Sequence, residues 1–150
     1  MNTTAIRRAI YGKLAGDTTL NNLLGTAAPG YSKAIYFEVA PEAARYPLVI
    51  FQKQSGSPTY TFGAPDTAIE SDLWLVKAVA QDLPGSSGSD AAEAAQARVA
   101  ALLNDASLSI SGGALLLWLR REQDGIDFAE TLDGEVYRHA GALYRLTSTT

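Results

Sequence analysis

The chain of 150 residues has no cysteine and a single histidine, His139. The missing thiols exclude disulfides and cysteine-based zinc sites, and they suit a reducing compartment. Charge is scarce and leans acidic, with 12 basic against 16 acidic residues for a net charge of −4. A protein that grips nucleic acid normally shows a basic face, so this balance argues against such a grip. It leaves room for a surface past which nucleic acid slides. Long apolar runs are also missing: the longest, Ala114 to Leu119, falls far short of the ~20 residues that span a bilayer. Arg7 and Arg8 are followed by Gly12, Lys13 and Gly16 rather than by an apolar stretch. No signal peptide is therefore expected, and synthesis in the cytoplasm is.

What remains is enough for one domain with a sizeable core. Thr3 or Thr4 caps a first helix in which Ile6, Ile10 and Leu14 recur every four residues, and Gly16 closes it. Asp17 caps a second, short helix through Leu20, Leu23 and Leu24, ending at Gly25. A first strand, Ala34 to Val39, and a second, Leu48 to Gln52, are joined by a connection bracketed by Pro41 and Pro47. Pro47 heads the second strand, where a missing N–H is tolerated.

The next stretch, KQSGSPTYTFGAPD, is rich in Gly, Ser and Pro and reads as an exposed loop carrying Tyr60 and Phe62. Ile69 to Val79 is a long strand with apolar residues on both faces, so burial from two sides is expected. QDLPGSSGS is a loop. Asp90 starts a helix with Glu93 completing a capping box, and the helix runs to about Asn104 with seven alanines, which let it sit close on a sheet. Leu108 to Ile110 and Ala114 to Arg121 read as a hairpin around Gly112-Gly113, Gly125 to Gly134 as a polar connection, and Val136 to Thr147 as the last strand. The fold class is α+β in the order α-α-β-β-β-α-β-β-β.

Chemistry is hard to find. Gly85-Ser86-Ser87-Gly88 has the wrong spacing for a nucleophile elbow. Gly12-Lys13 has Arg7 where a phosphate loop needs its first glycine, and it lies inside a helix. His139 would need a partner carboxylate or a second ligand to act as a base or metal site, and no motif supplies one; a strand residue that is exposed or hydrogen-bonded is the plainer reading. Glu122 to Glu135 holds six acidic residues and no basic one, in a spacing unlike a calcium loop, and reads as a solvated loop. Ile126 and Phe128 within it, like Tyr60 and Phe62, are either core plugs or interface residues. Arg120 and Arg121 are expected to pair with carboxylates locally or across a subunit boundary.

Four strings carry a resemblance. AIRRAIYGKLAGDTTLNNLLG ends in a D-x-x-L-x-x-L-L-G turn, and AIYFEVAPEAARYPLVIFQ holds the Pro-bracketed strands. ARVAALLNDASLSISGG closes the Ala-rich helix, and YRHAGALYRL lies in the last strand. In order and over nearly the whole chain, they resemble the tail-completion proteins of long-tailed bacteriophages, also called tail terminator or tail-to-head joining proteins. One departure is Leu48, where the family usually has an aromatic after the proline.

The resemblance implies a single domain, a curved and mostly antiparallel mixed sheet with the N-terminal and Ala-rich helices packed on it. It implies a structural virion protein of the tail and neck with no catalysis, no cofactor, no metal and no membrane. Such proteins form a ring, usually a hexamer, that caps the head-proximal end of the tail tube, ends tube polymerisation and joins the neck or head-completion proteins. DNA passes through the ring without specific binding. On this reading Tyr60, Phe62, Ile126 and Phe128 are candidate contacts with a neighbour or the tube, and Asp124, Asp127 and Asp133 are candidates to line the hole. The competing readings are a small α+β ligand-binding domain or enzyme with scattered site residues, or another neck or minor tail component.

Overall fold

A computed structural model describes residues 3–62 and 64–149, with the backbone alone at residues 61 and 64–68. Helices α1 (Thr3–Ala15) and α2 (Thr18–Leu23) meet at a tight corner. Ile6, Ile10 and Leu14 are buried on one face of α1, as their spacing predicts. One side chain ties this corner together: Asn21 Nδ2 donates to Leu14 O (3.2 Å) and Ala15 O (3.0 Å) at the end of α1 and to Asp17 O (2.7 Å) at the start of α2. Asp17 caps α2 by accepting from Leu20 N at 2.7 Å. It also accepts a two-pronged pair of bonds from Arg98, on α3 (Ser89–Leu103), at 2.9 and 2.7 Å. The Arg98 bonds above all hold its carboxyl down to about 2.

Six strands form one curved, open sheet: β1 (Ile35–Phe37), β2 (Leu48–Thr61), β3 (Ala64–Gln81), β4 (Leu116–Gln123), β5 (Phe128–Leu132) and β6 (Glu135–Thr149). Their order is β1-β2-β3-β6-β4, with β5 also on β6. Since β3 takes one side of β6, β4 and β5 share the other, β4 along residues 143–148 and β5 along residues 135–139. Among the described residues only the β1–β2 pair is parallel. The α+β class and its element order are thus as expected.

All three helices contribute to one core on one face of the sheet. Trp74, Val76 and Ala78 of β3 stand opposite Tyr144, Ala142 and Ala140 of β6, and all six are buried. Ile6, Ile10 and Leu14 join them from α1, Leu20 from α2, and Ala95, Val99 and Leu103 from α3. Full burial of each large aliphatic or aromatic side chain contributes about 1.5–3 kcal/mol. The alanines of α3 meet alanines of the sheet, Ala92 beside Ala80 and Ala140, which is the close approach their size predicts.

The opposite face is covered only at its foot. There the segment 25–47 wraps over the sheet, burying Tyr36, Leu48 and Val79 with Ala28 and Ala34, and Ala28 N donates to the Tyr36 hydroxyl at 3.0 Å. The Tyr46–Pro47 peptide that leads into β2 is cis. Two-sided burial of β3 therefore holds at Val79, while Leu73 and Leu75 are half-buried beside Leu143.

Four local expectations are corrected. The stretch after Gln52 is not a loop: β2 runs on to Thr61, paired with β3 from Lys53↔Trp74 to Tyr60↔Ala68 after a bulge at Lys53/Ser55. Beyond the three residues of β1 this part of β2 is an edge, where Gly, Ser and Pro58 are tolerated. The Gly112-Gly113 hairpin does not form, because residues 108–110 lie outside any strand and cover the core, with Ile110 buried. The connection 125–134 instead contains β5, joined to β6 by Asp133-Gly134, whose φ values of 51° and 79° suit a two-residue primed turn. Finally, the cap of α3 is Gly88 and not Asp90, which falls inside the first turn. Asp82 organises that start, accepting from Gly88 N at 2.6 Å and from Arg138.

Candidate interaction surfaces

The β2–β3 hairpin carries the first candidate pair. At its root Asp72 is fully buried, with Lys53 Nζ 3.2 Å from Oδ1. Gly56 packs so closely there that a Cβ would lie 2.5 Å from the same oxygen. Beyond the root the β2 strand is exposed along 54–60, and at the tip Tyr60 is exposed and Phe62 fully so. The aromatics are displayed, not stored in the core.

The second pair lies elsewhere. Phe128 faces His139 across the β5–β6 ladder and stacks on its ring, with centroids 4.1 Å apart and an 11° tilt. Ile126 is half-buried, its N–H donating to Gly141 O at 3.3 Å. The register puts Phe128 level with His139 and the base of the hairpin tip, Ile69, level with Thr149. Ten residues of strand separate those levels, about 33 Å at 3.3 Å per residue. Tyr60/Phe62 and Ile126/Phe128 are therefore two surfaces at opposite ends of the sheet.

His139 is buried and hydrogen-bonded to Glu130, Nε2 to Oε1 at 2.7 Å. Burial, more than the Glu130 contact opposes, pushes its pKa below the ordinary imidazole value, so the ring is neutral near pH 7. Nδ1 is buried without a partner. Lys77 Nζ lies 5.5 Å over the Phe128 ring, and desolvation lowers its pKa. Among the described residues no group of three or more His, Asp or Glu side chains is arranged to hold a metal ion. The arrangement is that of a hydrogen-bonded strand histidine.

The three acids Asp124, Asp127 and Asp133 all fall on the β4–β5 margin. Asp124 pairs with Arg121 at 3.1 Å, whereas Asp127 and Asp133 have no ion pair among the described residues. Arg120 pairs with Asp105 at 2.9 Å, so both arginines find local carboxylates. This margin is partly closed: Asp105 N donates to Leu119 O (2.8 Å), and Arg121 N donates to Asn104 Oδ1 (3.0 Å). Those bonds cap the free side of β4, a device that stops uncontrolled strand addition. β5 has no such cover and every residue in it is exposed.

Two features had no warning in the pattern reading. Leu115, Leu117 and Trp118 are exposed at the head of β4, within a stretch that reads only as one arm of a hairpin. A cleft of about 330 Å³ opens between α1 and β1, lined by Arg7, Arg8, Tyr11, Tyr31, Ser32 and Phe37 among others. Arg7 lies over the Phe37 ring at 4.7 Å. Only its sequence-distant halves, Arg7-Arg8 and Tyr31-Ser32, could have hinted at it.

Residues 8–140 match the family model described as tail completion protein gp17. The chain belongs to this tail completion family. Its fold is also that of a chain in the virion of a native gene transfer agent particle, with a TM-score of 0.73 over 98% of this chain and 96% of that one, at 20% identity. No curated protein matches the sequence. Family membership makes the protein a structural component of a phage-type tail, which assembles with other tail or neck proteins.

Proposed function

We propose that the protein forms a ring, a hexamer, that caps the head-proximal end of the tail tube. The ring ends tube polymerisation, offers its other face to a neck or head-completion protein, and lets DNA pass through its hole without specific binding. Its work is assembly and involves no catalytic step. The observation that carries this reading is the family match over residues 8–140. The likeness in fold to a virion chain supports it.

The surfaces fit the role. A ring needs heterologous contacts, two different patches on each subunit. The hairpin with Tyr60 and Phe62 and the β5 margin with Ile126 and Phe128 lie at opposite ends of the sheet, so both are available for contacts with different neighbours. Tyr60 and Phe62 are proposed to reach a neighbour or the tube, since exposed aromatics are the usual anchors of interfaces.

Native mass measurement of the purified protein, alone and with tail tube protein, tests the proposal. A closed oligomer, or a species bound to tube ends, is expected. A monomer that ignores the tube would refute it.

A further inference from the structure

The two free margins of the sheet carry opposite charge. Residues 1–53 hold six basic side chains (Arg7, Arg8, Lys13, Lys33, Arg45, Lys53) against three acids (Asp17, Glu38, Glu42). Asp17 is committed to Arg98 and Lys53 faces Asp72. Among the described residues Arg7, Arg8 and Lys33 have no carboxylate partner. Arg7 and Arg8 line the α1–β1 cleft, and Lys33 adjoins its Tyr31-Ser32 wall. Residues 122–135 hold six acids and no base. Arg145 and Arg121 neutralise Glu122 and Asp124, Glu130 and Glu135 are hydrogen-bonded only to the neutral His139 and Gln81, and Asp127 and Asp133 have no ion pair among the described residues, so the margin stays acidic beside exposed Phe128 and Leu132.

The register places the start of the acidic margin, at Ile126, level with the cleft. Tyr36 of β1 pairs with Ile50, Ile50 with Lys77, and Lys77 with Gly141, whose carbonyl accepts from Ile126 N. One row of the sheet therefore runs from the basic cleft to the acidic margin. Four interstrand steps of about 4.8 Å put them roughly 19 Å apart. A repeat of this kind, with one sign at one end of a row and the other sign at the opposite end, is complementary to itself head to tail.

We infer that a second copy of this chain docks its acidic β5 margin against the basic, aromatic α1–β1 cleft of the first. Asp127 and Asp133 meet Arg8 and Lys33, and the exposed apolar side chains of β5 lie against Tyr11, Tyr31 and Phe37. Like charges on both margins would repel, so the pattern also forbids cleft-to-cleft and margin-to-margin pairing. The inference rests on the ring reading and specifies which margins meet. It seats Asp127 and Asp133 against a neighbour instead of in the open hole.

The chain has no cysteine, so a pair can be introduced cleanly. Ser32→Cys lies in the cleft and Thr131→Cys on β5, and neither removes a charge. The double variant is treated with a short bis-maleimide with tube protein present, and the three strands β2, β3 and β6 that lie between β1 and β5 keep the two sites from linking within one chain. A ladder of covalent multimers is expected, while each single variant stays largely monomeric. Arg8→Glu or Asp133→Lys added to the double variant should cut the ladder roughly tenfold, and both together should restore it. A double variant that stays monomeric while native protein forms rings overturns the margin pairing and leaves the ring standing. A ladder without a closed ring or tube-bound species sinks the ring and supports the pairing. Charge reversals that leave the ladder unchanged also overturn the inference.

Discussion

Asp17 does three jobs at once, and removing them one at a time gives the sharpest test of how the scaffold is held. It caps α2, receives both prongs of Arg98 from α3, and offers its carbonyl to Asn21. The drop of its pKa from 3.8 to about 2 corresponds at 1.36 kcal/mol per unit to at most about 2.5 kcal/mol. The Arg98 side chain is 35% exposed, and solvent screening reduces that to about 1 kcal/mol. Loss of the cap adds about 1 kcal/mol. Asp17→Ala should therefore cost about 2 kcal/mol, and Asp17→Asn, which keeps a good cap, about half of it. Arg98→Ala keeps the cap and should fall between native protein and Asp17→Ala. The folded pKa lies below the unfolded value, so this stability is present above pH 4 and is lost as pH falls from 3.8 towards 2. Urea denaturation of all four proteins at pH 7 and near pH 3 reads both effects. Equal losses for Asp17→Asn and Asp17→Ala, or differences that persist undiminished at low pH, would refute the reasoning.

Three further outcomes follow from the same geometry. His139, held neutral by burial with an unpartnered Nδ1, has a folded pKa below its unfolded value; stability should fall as pH drops below about 6.5, and a His139→Gln variant should flatten that limb in thermal melts. Gly141→Ala would put a Cβ 2.7 Å from Lys77 Cβ between two paired strands, and should cost about 1–3 kcal/mol in chemical denaturation. Phe62→Ser at the exposed hairpin tip should change stability by less than about 0.5 kcal/mol yet weaken assembly with tube protein in co-sedimentation.

Much of the scaffold was legible because local chemistry and tertiary context agree there. The four-residue spacing of Ile6, Ile10 and Leu14, the Asp17 cap, Pro47 at the head of β2 and the alanines of α3 all appear where their physics puts them. The misreadings came where partners distant in sequence decide. Gly, Ser and Pro between residues 54 and 58 look like a loop until β3 supplies the ladder that holds them extended. The Gly112-Gly113 pair reads as the hairpin turn, while the Asp133-Gly134 pair, the stronger turn chemistry, is hidden by the acidity around it. Gly112 and Gly113 also have positive φ, but residues 108–110 find the core before they find a strand.

The surfaces were legible by residue type and not by grouping. Tyr60 and Phe62 stand out as aromatics with no periodicity to bury them, and they are exposed. Phe128 stands out as an apolar side chain in an acidic run, but its partner, the His139 ring, comes from pairing that the Asp133-Gly134 turn sets up. The cleft of Arg7, Arg8, Tyr31 and Phe37 joins a helix face to a loop some twenty residues later, and no spacing rule connects them.

The claim that this protein caps a tail tube is tested most directly by polymerising tube protein in its presence and following tube length by electron microscopy. Tubes that stop growing at one end, each bearing a single ring there, are the predicted result. Tubes that lengthen at the same rate and carry no ring would contradict the account.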